Sequence, residues 1–210
     1  LEKYPLTVIT EHDCTQGGEK FSIVNINNIN VGFISATVNK DISQYVSQLR
    51  KAGAEYIFFF CSWNERHTPA VKPKWRNQAV KAAESGADII IGNGLNAIAE
   101  YDVIVCADGR HVPVAYSLGS LIPADPATRF EKIGALLCVR LKRDTATGKV
   151  NTDLCGYIPY AFKDYGTEHR AVLLSDDNAR YFGLSIYDTL KKQVATALGS
   201  KIELARYAEK

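Results

Sequence analysis

The stretch from Ala54 to Leu121 constrains this chain more than any other. It runs as an apolar segment (AEYIFFFC), a polar segment (Ser62 to Pro69), a helical segment and then Gly-Ala-Asp. A second apolar segment (ADIIIG), a second polar segment (Asn93 to Asn96) and a hairpin ending in Tyr-Ser-Leu-Gly-Ser follow. Short apolar runs bounded by turn residues are buried strands. Buried strands alternating with a helix belong to an α/β sheet. Two segments therefore carry polar side chains off the carboxyl ends of strands, the edge at which sites form in open α/β sheets.

The flanks extend this pattern. FSIVNI and INVGFIS, separated by Asn27-Asn28, predict a hairpin. Asp41 to Gly53 spaces Ile42, Tyr45, Val46 and Leu49 along one helical face, with Asp41 as N-cap and Gly53 as the stop. A second helix is predicted from Lys74 to Ser85, opened by Pro73 and closed by Gly86. DVIVC and VPVAYSLG pair around ADGRH, and IGALLCVRLKRD pairs with KVNTDLCGYIPYAF around TATGK. A last helix is predicted over Ser185 to Leu198, with Ile186, Leu190, Val194 and Leu198 on one face. Residues 1–20 read as a polar lead-in loop. The expectation is one α/β domain over residues 1–210, with mixed parallel and antiparallel strands.

Composition excludes several classes. The 25 basic and 23 acidic residues are well mixed, with a net charge of +2, so no basic stripe marks a nucleic-acid surface. The longest apolar runs fall far short of the roughly 18 residues of a membrane span. The chain starts at Leu1 and has no Met, so it is read as part of a longer protein. Its five cysteines include no CxxC pair, which argues for buried free thiols, against a zinc site, and mildly for a reducing compartment.

The polar segments carry the candidate chemistry. GNGLNA at Gly92 to Ala97 has the form of a dinucleotide fingerprint, but too few residues separate Gly94 from the strand near Asp102 for a crossover helix. Its glycines are read as a tight turn. Ser62 and Ser117 lack the GxSxG elbow of a nucleophile, and strand-end serines more commonly bond to backbone. His111 and His169 are expected in solvent, His111 in a hairpin turn and His169 in a charged loop. His67 alone is placed for chemistry, with Glu65 and Asp13 as available carboxylates and no compact ligand spacing around them. Trp63 and Trp75 bracket the first polar segment, and two readings stand: they stack on a sugar or peptide chain, or they cover the loop.

Three motifs, in order and at matching spacing, resemble a known family. They are Ser62-Trp63-Asn64-Glu65-Arg66-His67-Thr68-Pro69; Gly86-Ala87-Asp88-Ile89-Ile90-Ile91-Gly92; and Asp108-Gly109-Arg110-His111-Val112-Pro113-Val114-Ala115-Tyr116-Ser117-Leu118-Gly119. They are similar to those of the bacterial capsule-synthesis (CapA, poly-γ-glutamate capsule) family, over about residues 21–165. The resemblance implies a metallophosphoesterase-like layered α/β sandwich with mixed sheets, lacking the amino-terminal part of the family fold. It also implies a metal site, which family members build from strand-end histidines. Here Ser62 stands at the first such position, and Asn93, Gly94 and Asn96 stand where the second motif has its histidines. An asparagine oxygen is a far weaker ligand for a transition metal than imidazole.

The resemblance therefore implies a degenerate member that holds no metal or other cofactor in this domain. Its cleft would be lined by Ser62, Trp63, Asn64, Glu65, His67, Asn93, Asn96 and Ser117. The partner it implies is an anionic or polar polymer, poly-γ-glutamate or cell-wall-like, together with envelope-biosynthesis proteins and no nucleic acid. The place it implies is the cell envelope, on the extracellular face of a membrane-anchored parent; the unpaired cysteines point instead to the cytoplasm. Two alternatives stay open: a metal-dependent phosphoesterase with a rebuilt site, and a docking domain of a multidomain envelope enzyme.

Overall fold

The computed structural model describes residues 21–37, 39–63, 65, 70–121, 132–164, 166 and 168–205. The lead-in segment 1–20 lies outside them. The described residues form a layered α/β structure with two mixed sheets. The larger sheet has β1 (Phe21–Ile26), β2 (Ile29–Thr37), β3 (Tyr56–Ser62), β4 (Ile89–Asn93), β5 (Tyr101–Val105) and β6 (His111–Ala115). Its spatial order is β1-β2-β3-β4-β6-β5. The four central strands are parallel, and each outer strand is antiparallel to its neighbour.

The connections follow from local chemistry. Asn27 and Asn28 both have positive φ, as a two-residue hairpin turn between right-twisted strands requires. Helix α1 (Ser43–Lys51) links β2 to β3, and α2 (Pro73–Glu84) links β3 to β4. The N-cap of α1 is Ile42 rather than Asp41, whose carboxylate instead accepts the Ser43 N–H at 2.9 Å. Asp41 still satisfies a first-turn donor, from one residue further out. Both helices lie on one face of the sheet, where Ile34, Phe59, Ile90 and Val114 meet Leu49, Trp75 and Ala79 in one buried cluster.

The opposite face is covered over β3, β4, β6 and β5 by a second sheet: β7 (Ile133–Arg143), β8 (Val150–Asp164), β9 (His169–Leu173) and β10 (Glu203–Leu204). The predicted β7–β8 hairpin forms, with a register shift between Arg140 and Leu141. A 3-10 helix (Asp176–Tyr181) and α3 (Leu184–Leu198) complete the chain's described part.

Two expectations are corrected here. Helix α3 buries Tyr187, Val194 and Leu198, while Ile186 is 59% exposed. A row of every fourth residue drifts ~40° per step, which puts Ile186 ~120° from Leu198, whereas Tyr187 lies within ~20° of it. His169 sits not in a loop but on β9, where its ring stacks on Phe162 at 5.5 Å.

The two sheets are stitched at one end by Arg143. Its guanidinium binds both carboxylate oxygens of Glu55, and it donates to the Asn28 carbonyl at 2.9 Å. Glu55 also accepts the Asn30 N–H at 3.0 Å. The Arg143 hydrogen bond, then that of Asn30, brings the Glu55 carboxyl down to about 2 from 4.5. A lowered carboxyl contributes stability that is complete above the unfolded value and is lost as pH falls toward the folded one. Glu55→Gln should therefore melt a few degrees below the parent chain above pH 4.5, and the gap should close toward pH 2. Melting curves of both proteins across that range test this; a gap that persists at the acid end overturns it.

Candidate functional site

The parallel strands end level with one another. Thr37 of β2 is in register with Ser62 of β3, and Ser62 with Asn93 of β4. Residues in register share a face, so these hydroxyl and amide side chains form one row on the face away from α1 and α2. Asn93 is exposed, and Ser62 and Thr37 are half-buried. The Asn93 carboxamide oxygen accepts the Gly94 N–H at 2.7 Å, and its NH2 group is a donor. Gly94 and Asn96 both have positive φ, so GNGLNA is the expected tight turn, and Leu95 plugs it into the helix-side core. Asn96, in this turn, is half-buried.

Ser117 lies beyond the end of β6 and is 3% exposed. Its hydroxyl accepts the Gly119 N–H at 3.3 Å, the local backbone bond usual for a strand-end serine.

Trp63 does not line this row. Alternation along β3 turns its ring to the helix side, where it is 1% exposed. Its indole N–H donates to the Tyr116 carbonyl at 2.7 Å, and its ring packs against those of Trp75 and Tyr116, each with centroids at 5.8 Å. Of the two readings for this pair, the stacking platform is the one the burial excludes: Trp63 and Trp75 are core. Gly92 makes room for the indole, since a Cβ there would lie 2.1 Å from its nitrogen. The Trp75 indole N–H, also buried, has no partner among the described residues.

Glu65 is committed to an ion cluster. It accepts from Lys74 at 2.6 Å and from Lys72, and these bonds hold its carboxyl below the usual range. Arg76, further along the first turn of α2, pairs with Glu100 at 2.5 Å and lies over the Tyr116 ring. Burial pushes the Tyr116 hydroxyl up to about 12, so it stays protonated. Asn64 and His67 lie outside the described residues.

The proposed cleft thus divides. Ser62 and Asn93 stay together in register, Asn96 lies in the turn that follows, Ser117 points into a local turn, Trp63 lies across the sheet and Glu65 sits on two lysines. Thr37 joins the row, and sequence reading missed it because only strand register places it there. Among the described residues, no three His, Cys, Asp or Glu side chains converge. Hydroxyls and amides, with the nearby carboxylate held by ammonium groups, do not fit a transition metal. No helix among them is long and apolar enough to cross a membrane.

A family model described as bacterial capsule synthesis protein matches residues 10–124, more than half of the chain. No curated protein matches the chain. Among solved structures, the chain is similar to a 5'-nucleotidase precursor from Thermus thermophilus, at 14% identity and a TM-score of 0.44, over 83% of this chain and 35% of that one. It is also similar to the NAD nucleotidase of Haemophilus influenzae, at 12% identity and a TM-score of 0.46, over 87% of this chain and 38% of that one. The chain spans little more than a third of either structure.

Proposed function

The chain belongs to the bacterial capsule synthesis protein family, and from that premise we propose that this domain holds an envelope polymer of the poly-γ-glutamate kind during its assembly or anchoring, without hydrolysing it. The observation that carries this reading is the level row of Thr37, Ser62 and Asn93. Neutral donors and acceptors at this edge suit the amides and carboxylates of a polar polymer, which they can hold without cleaving. Lys72 and Lys74 at the start of α2 share the single carboxylate of Glu65, and the one positive charge in excess adds attraction for an anionic chain. The domain then acts on the envelope side of its parent, beside other envelope-biosynthesis proteins.

Titrating poly-γ-glutamate oligomers into the chain by calorimetry tests the reading, with neutral dextran as comparator. Binding should saturate, weaken with added salt, and fall at least about fivefold in the double variant Ser62→Ala, Asn93→Ala; the loss of two hydrogen bonds accounts for such a factor. Equal binding of dextran, or an unchanged double variant, would remove the support. Near-stoichiometric manganese, iron or zinc retained after desalting would favour a metal-dependent hydrolase instead.

A further inference from the structure

The second sheet has a notch in its outer edge. β10 pairs with β8 at Gly156 and Tyr157, and β9 pairs with the same edge from Tyr160 onward. Ile158 and Pro159 lie between the two short strands, whose ends are fastened by the Ala205 N–H on the Tyr157 carbonyl and the Leu174 N–H on the Pro159 carbonyl, both at 2.8 Å. A cavity of about 680 Å³ opens there. It lies within the range of roughly 300–1,000 Å³ usual for small-molecule sites.

One wall is apolar: Ile158, Pro159, Leu173 and Leu204, the last 54% exposed. The other is a charged relay from the 3-10 helix and α3. The Tyr187 hydroxyl donates to one oxygen of Asp176 at 2.6 Å, and the Lys191 ammonium reaches that hydroxyl at 3.1 Å and the same oxygen at 3.5 Å. Tyr187, then Lys191, keeps the Asp176 carboxyl below its ordinary range, so it is anionic at neutral pH. Among the described residues, its second oxygen and the neighbouring carboxylate of Asp177 take no hydrogen bond. Two carboxylates against one ammonium leave the polar wall one negative charge in excess.

We propose that this notch binds a small amphiphile with a single ammonium head on an apolar body, such as an arylalkylamine. The head rests on Asp177 and the open oxygen of Asp176, and the body lies along Ile158, Pro159, Leu173 and Leu204. An anionic ligand meets the excess charge and is disfavoured. The site lies on the second sheet and is independent of the strand-end row of the first.

The full chain is titrated with phenethylamine, 3-phenylpropionate and 2-phenylethanol, which share a ring and differ in head group, and followed by amide chemical shifts at low salt. Phenethylamine should saturate with a Kd at least tenfold below that of the carboxylate, with shifts confined to β8, β9, β10 and the 3-10 helix. Asp177→Lys should bring that preference below about twofold while leaving Tm nearly unchanged, because Asp177 is exposed and takes no hydrogen bond or ion pair among the described residues. Three probes that bind alike, a titration that does not saturate, or a preference that survives Asp177→Lys would each overturn the proposal.

Discussion

Gly92→Ala should lower the melting temperature of this protein by roughly 4–24 °C, the sum of two losses at one position. A Cβ at Gly92 would lie 2.1 Å from the Trp63 indole nitrogen and 2.1 Å from the Tyr116 carbonyl oxygen. The second of these is backbone of the strand end after β6, so no rotamer change relieves it. Forcing extra volume into a packed core costs about 1–3 kcal/mol. Displacing the indole also breaks its 2.7 Å bond to Tyr116, and leaving a buried donor and acceptor unpaired costs about 1–3 kcal/mol more. For a chain of this size each kcal/mol corresponds to roughly 2–4 °C. Calorimetry checks the shift. Trp63→Phe in the same background removes the nitrogen that the new methyl strikes, so the two changes together should cost less than their sum. Strict additivity would show that the indole is not what requires glycine here.

The elements that repeat with a fixed period were legible in the sequence. Alternating or continuous apolar runs gave β2, β3, β4 and the β7–β8 hairpin, and Gly53 and Gly86 marked the helix ends, where both take positive φ. What depends on partners was not legible. β9 is a five-residue strand carrying His169 and Arg170, and it exists because the edge of β8 is there to pair with it. The candidate site shows the same division. The strand ends are legible in the sequence, but proximity in sequence does not say which side chains share a face. Period-two alternation already separates Ser62 from Trp63 and places the tryptophan with Cys61 on the helix side. Thr37 needs the register between β2 and β3, which no local pattern encodes. Glu65 offered itself as a ligand until folding brought Lys72 and Lys74 onto it.

The Gly-Ala-Asp motif leads to the second large effect, at the opposite end of the strands from the site. Gly86 ends α2 and Ala87 is fully buried. One Asp88 oxygen accepts the Ile57 N–H at 2.7 Å and the Arg50 guanidinium at 2.5 Å, and the other faces Arg110 at 3.8 Å. Arg50 also donates to the Gly86 carbonyl, and Arg110 to those of Ala83 and Ala87. One carboxylate therefore fixes the two cations that close the last turn of α2 and ties them to β3. Asp88→Ala leaves the Ile57 N–H unpaired and the Arg50 guanidinium without its counter-charge, while Arg110 keeps Asp108 at 2.6 Å, at a cost of about 3 kcal/mol. Asp88→Asn keeps an acceptor for Ile57 and should cost about 1 kcal/mol. Burial raises the Asp88 carboxyl above 3.8 in spite of Arg50. The folded chain thus binds this proton more tightly than the unfolded one. The stability contributed by the group is complete below pH 3.8 and declines as pH rises through the folded value, opposite in sign to Glu55. Denaturant titrations at pH 4 and pH 7 should therefore find the gap between the parent chain and Asp88→Asn narrower at the higher pH. A gap that widens would mean that attraction to Arg50 and Arg110 outweighs burial, and that Asp88 acts as a full ionic clamp at neutral pH.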